Sequence, residues 1–95
     1  MSTLVDTGQL DKAKAEQLIS TIPLIPEVER IEVELYTDHT GDPAFQIVYY
    51  LRKDVVFELN DELGKRFEEF KGVIQTAILH SDLNRFPYTK LERAA

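Results

Sequence analysis

The sequence predicts an α+β fold in the order α-β-β-α-β: an antiparallel hairpin and a third, edge strand packed against two helices. Two runs of alternating apolar and polar residues, 28–37 and 44–52, flank the loop Asp38-His39-Thr40-Gly41-Asp42-Pro43, the pattern of a β-hairpin with a polar tip. Two longer segments, 7–22 and 60–82, space their apolar residues by three and four, which is the helix period. The segment 85–92 carries Phe86, Tyr88 and Thr89, residues that favour strand. At 95 residues and 43% hydrophobic content, the chain reads as one folded domain, residues 1–95. A chain of this size buries only about 60–65% of its unfolded surface, so it has one core with little to spare.

The first helix has Asp6 or Thr7 as its N-cap, and Gln9 stands three residues after Asp6, a spacing similar to a capping box. Ala15, Leu18, Ile19 and Ile22 make its apolar stripe. Pro23 ends it, because the residue before a proline is driven out of the α region. In the first strand Ile31, Val33 and Leu35 point one way, and Glu32, Glu34 and Tyr36 the other. In the second, Phe45, Ile47, Tyr49 and Leu51 share one face, and Gln46, Val48, Tyr50 and Arg52 the opposite one. A register pairing odd with odd residues buries both apolar sets together. The second helix carries Leu63, Phe67, Phe70, Ile74, Ala77 and Ile78, with Asn60 as a candidate N-cap and Asp61 and Glu62 at the positive end of its dipole. Gly64 and Gly72 interrupt it, and either permits close packing on the sheet or on a second chain. Pro87 confines the last strand to an edge or to the strand's first residues. Thr3-Leu4-Val5 offers a short preceding strand, which gives the alternative ferredoxin-like order β-α-β-β-α-β.

The formal charge is −6. Residues 1–51 carry nine acids and three bases, the whole excess, whereas residues 52–95 carry eight of each. An acidic domain repels phosphate backbones, so nucleic-acid binding by the chain alone is not expected. Arg85, Lys90 and Arg93 face a single acid, Glu92, and read either as a patch for RNA or an acidic protein or as a solvated end. The absence of cysteine excludes disulfides, thiolate catalysis and thiolate metal sites. No secretory signal and no membrane-spanning run of about 20 apolar residues is present, so a cytoplasmic location is expected.

Candidate chemistry centres on the hairpin. Asp38, His39 and Asp42 place three metal-ligating side chains within five residues, but Asp, Thr, Gly and Pro are also ordinary turn residues. The loop does not match an EF-hand, since Gly41 falls at its fourth position and Tyr49 at its twelfth. Glu32 and Glu34 lie about 6.6–6.8 Å apart on one strand face, either as an acid–base or metal-binding pair or as the wet side of a half-buried strand. His80, near the end of the second helix, suits the negative end of the dipole better than catalysis. No catalytic residue and no cofactor is expected from these patterns.

The stretch from the first helix through Gly41-Asp42-Pro43-Ala44-Phe45-Gln46-Ile47-Val48 resembles the core of minimal nucleotidyltransferases, with residues 85–91 in place of that family's third core strand. The resemblance sets Asp42 at the family's first metal-binding carboxylate. Ala44 stands at the second, and the Gly-Ser pair is missing, so what it implies is a catalytically degenerate copy. Some members of that family are antitoxins paired with RNase-type toxins, which implies a basic nuclease-type partner.

From the residues alone, 27–42 contain six acids and one base. Such a surface steers onto a basic protein. The expected function is therefore a non-enzymatic protein-binding domain, antitoxin-like or an accessory subunit, that neutralises a basic partner through Glu32, Glu34, Asp38, Asp42 and Tyr50. The alternatives are a small metal- or ligand-binding enzyme domain using Asp38, His39 and Asp42, and a homodimeric structural module.

Overall fold

The computed structural model describes residues 7–55 and 62–94. Its elements are α1 (Thr7–Ser20), β1 (Val28–Thr37), β2 (Pro43–Leu51), α2 (Glu62–Leu79) and β3 (Phe86–Arg93), the α-β-β-α-β order of an α+β fold. The expected caps at Asp6 and Asn60, Asp61, and the extra strand at Thr3-Leu4-Val5 with its ferredoxin-like order, lie outside the described residues.

The three strands form one mixed sheet in the order β1-β2-β3, with β1 and β2 antiparallel and β2 and β3 parallel. The hairpin register is odd with odd: Ile31 opposite Tyr49, Val33 opposite Ile47, Leu35 opposite Phe45. One irregularity, between Val28 and Arg30, shifts the register at the open end. β3 is an edge strand and tolerates Pro87, whose carbonyl accepts a hydrogen bond from Gln75 Nε2 at 3.2 Å.

Both helices pack on the odd-numbered face. Ala15 and Ile19 of α1 and Phe67, Phe70, Ile74 and Ile78 of α2 form one core with Val33, Phe45, Ile47, Tyr49 and Leu51. The Tyr49 ring meets Phe67 and Phe70 edge-on, with centroids 5.2 and 6.2 Å away. Aromatic pairs prefer this arrangement because it sets a ring's positive edge against a negative face. No described element covers the even-numbered face. Val48 lies on that face, as its position in the alternation requires, yet it is only 1% exposed. β2 is the central strand, and the long side chains of Glu32 and Lys90 flank Val48 on either side.

The helices stop earlier than the apolar spacing suggests, because their last turns tighten and local side chains cap them. Thr21 N–H and Ile22 N–H donate to carbonyls three residues back, and the Ser20 and Thr21 hydroxyls donate to Gln17 and Leu18 carbonyls. After α2, Ser81 repeats the device: its hydroxyl donates to the Ile78 carbonyl and accepts from Leu83 N–H.

The C-terminal bases each have an acceptor within the chain, with Lys90 still about half exposed. Arg85 Nε lies 3.0 Å from Asp11 Oδ2, joining α1 to the start of β3, and the Arg85 side chain is only 14% exposed. Lys90 pairs with Glu92 at 3.3 Å. Arg93 Nη1 donates to the Arg52, Lys53 and Val55 carbonyls and so clamps the turn after β2. Among the described residues no helix is long and apolar enough to cross a membrane.

Candidate functional site

The hairpin tip is built around Asp38. Asp38 N–H donates to the Asp42 carbonyl, and Gly41 N–H donates to the Asp38 carbonyl, with Gly41 at φ +86°. This is a three-residue connection ending in a left-handed glycine, which keeps the strand twist continuous through the turn. Asp38 Oδ1 accepts from Thr40 Oγ1 at 2.6 Å and from Thr40 N–H and Asp42 N–H at 3.0 Å each. Its Oδ2 accepts from Tyr88 Oη at 3.2 Å. The Thr40 hydroxyl, and next the Asp42 amide, lower the Asp38 carboxyl from its ordinary value to about 2. Burial, and next the bond to Asp38, hold the Tyr88 phenol above its ordinary range.

This geometry corrects the metal alternative. Asp38, His39 and Asp42 do not form a ligand set, and among the described residues no group of three His, Cys, Asp or Glu side chains could hold a metal. The physical reason is occupancy: the Asp38 oxygens already serve four donors that fold the turn.

The uncovered face of the sheet is organised in rows across β1, β2 and β3. From the tip downward they are Tyr36–Ala44–Phe86, Glu34–Gln46–Tyr88, Glu32–Val48–Lys90 and Arg30–Tyr50–Glu92. In the first two rows aromatics gather over Ala44. Tyr36 and Tyr88, from non-adjacent strands, meet at 5.6 Å between centroids, and Phe86 lies 4.9 Å from Tyr88. Ala44 is small enough to let those rings lean together above it, and it is fully buried. Tyr36 and Phe86 remain 40% and 49% exposed.

The five residues expected to bind a partner divide into two groups. Glu32 and Tyr50 belong to the lower rows, where Arg30 lies over the Tyr50 ring at 3.8 Å and donates from Nε to Glu32 Oε2 at 3.0 Å, while Tyr50 Oη donates to Glu32 Oε1 at 3.3 Å. Arg30 also pairs with Glu29, and its hydrogen bond to Glu32 raises its affinity for the proton. Glu32 is thus neutralised within the chain. Arg30 and Glu32 share a strand face two residues apart, a signal present in the sequence that the acid count passed over. Glu34, Asp38 and Asp42 lie toward the tip and have no cationic partner among the described residues; the Asp42 carboxylate accepts from the Thr40 hydroxyl, at 3.1 Å.

Beside the tip, between the hairpin loop and the segment joining α2 to β3, lies a cleft of about 490 Å³ that Asp38, Asp42, Leu79, Arg85 and Phe86 help to line. The Arg85 charge is matched by Asp11, so the two loop carboxylates are its surplus charge. Leu79 and Phe86 are about half exposed and supply apolar surface next to them. Sequence reasoning missed both residues: Leu79 is an ordinary helix apolar residue in isolation, and Phe86 reaches the tip only because β3 runs parallel to β2.

No protein-family model matches the chain, and no curated protein matches it.

Proposed function

We propose that this chain is a non-enzymatic binding domain that holds a basic partner protein at its hairpin-tip end. The observation that carries this reading is the tip cleft, where Asp38 and Asp42 are served by hydroxyls and amides but, among the described residues, by no cation, next to the exposed Leu79 and Phe86. A lysine or arginine flanked by apolar residues is the chemistry that complements it, since charge steers the encounter and buried apolar area holds the complex. Each loop carboxylate is engaged in folding the turn, which suits a fixed recognition surface better than a proton-shuttling or metal-exchanging one. An antitoxin-like or accessory-subunit role, implied by the resemblance to minimal nucleotidyltransferases, is the form of this reading in which the basic partner is a nuclease.

Capture from an extract of the source cell, followed by mass spectrometry, tests it. The wild-type chain and a control, Glu69→Lys on exposed α2, are expected to retain one basic protein in near-equal molar amount, with retention falling as salt rises. Asp42→Lys and Phe86→Ala are each expected to reduce it at least tenfold. Capture that is indifferent to both tip substitutions rules the reading out.

A further inference from the structure

We propose that the uncovered sheet face binds a second copy of this chain about a two-fold axis parallel to β2. The inference rests on the rows of the sheet and does not require the tip-cleft reading, although Phe86 takes part in both. The face carries Arg30, Glu32 and Glu34 on one edge strand and Lys90 and Glu92 on the other, two positive charges against three negative. Such a mixed surface has no net attraction for a strongly basic protein. Its charges are instead arranged to match themselves.

Rotation by half a turn about an axis along β2 lays β1 of one copy over β3 of the other with the rows in step. Glu32 then meets Lys90 of the second copy, and Arg30 meets its Glu92, each twice by symmetry. In the upper rows Glu34 meets the phenol of Tyr88, and Tyr36 meets Phe86. Within one chain, Arg30–Glu32 and Lys90–Glu92 are already ion pairs along their strands, at 3.0 and 3.3 Å, with side chains 43–48% exposed. The two-fold sets one pair against the other in reverse order, so that each of these four charges gains a second opposite neighbour. A two-fold perpendicular to the strands places β1 over β1: between the second and third rows it sets Glu32 against Glu34, which like charges disfavour, and between the third and fourth it pairs Arg30 with Glu32 but leaves the two upper rows with no row facing them. Val48 and Tyr50 lie on the favoured axis, but Val48 is 1% exposed and Arg30 covers the Tyr50 ring, so the charged side chains that flank them make the contact. Sheets packed face to face cross at about 30°, a rotation that long Arg, Glu and Lys side chains span.

Area sets the expected strength. Three strands about 4.8 Å apart and eight residues long make a footprint of roughly 14 by 26 Å, about half the usual ~800 Å² per partner. The dimer is therefore expected to be concentration-dependent, with dissociation in the micromolar range. Sedimentation equilibrium measures this directly. Glu32→Lys and Lys90→Glu are each expected to weaken the dimer at least tenfold, because each places like charges opposite one another twice. The double variant is expected to restore it. That restoration is diagnostic, since in the double variant each edge strand carries two like charges and is worse off within its own chain. A second measurement covers loss of folding in these variants. The chain has no cysteine, so Gln46→Cys is a unique thiol near the axis. A bis-maleimide matched to the roughly 10 Å spacing of packed sheets is expected to link it to its copy, and not to link Leu10→Cys on α1. A monomer at every concentration up to about a millimolar overturns the proposal. So does a dimer indifferent to the charge substitutions, or one in which the two thiols link equally.

Discussion

Tyr49 stands at the middle of the core with its ring packed and its hydroxyl buried, and that hydroxyl has no hydrogen-bond partner among the described residues. Burial alone pushes its phenol well above the ordinary value. An orphaned buried donor costs about 1–3 kcal/mol, so Tyr49→Phe is expected to leave the fold intact and raise its stability by up to about 1–2 kcal/mol, measured by urea unfolding. A loss of stability would show that the hydroxyl has a role in the fold. Asp38 makes a second prediction at this scale. Its carboxyl titrates lower in the folded turn than in the unfolded chain, so the stabilisation it supplies is complete above pH 3.8 and is lost as the pH falls through about 2. Asp38→Asn removes that titration, and its stability is expected to vary less between pH 4 and pH 2 than that of the wild type. Equal slopes in pH-dependent melting curves would assign the acid sensitivity elsewhere. In sequence Asp38 read as a turn residue and as a candidate binding or metal-ligating carboxylate, and only the folded tip brings Tyr88, fifty residues on, to its second oxygen.

At the scale of elements, period and proline carried most of the information. The alternation of 28–37 marks β1 to the residue, the odd-with-odd register follows from which faces are apolar, and Pro87 falls both on an edge strand and among that strand's first residues. The helix ends were less legible, because Ser20, Thr21 and Ser81 divert backbone carbonyls with their hydroxyls, a local competition that apolar spacing does not register. Gly72 illustrates the opposite error. A glycine in a long helix suggests close packing, but a Cβ built there meets nothing within 4 Å. Gly72→Ala is therefore expected to stabilise the protein by about 0.5–1 kcal/mol through helix propensity and a less flexible unfolded chain. A fall in melting temperature would mean that something not visible in the single chain approaches α2 at that point.

For the whole molecule, the features that matter most are those that join distant parts of the chain. The Asp11–Arg85 pair spans 74 residues, and the aromatic group over Ala44 needs β1 and β3 to flank the same strand. Neither is visible to a window sliding along the sequence, and that is why the acid count of residues 27–42 treated Glu32 and Asp42 as equivalent when one is neutralised and the other is not. A dimer of the proposed symmetry carries both hairpin tips at the same end, so a basic partner with two binding segments is held with an effective concentration set by their spacing rather than by bulk supply.

The central strand obtains its second neighbour only from residues 86–93. Without them one edge of β2 keeps its backbone donors and acceptors unpaired, so the sheet closes through long-range pairing of β2 with β3 as well as through the local hairpin, and folding is expected to be slower than a hairpin alone allows.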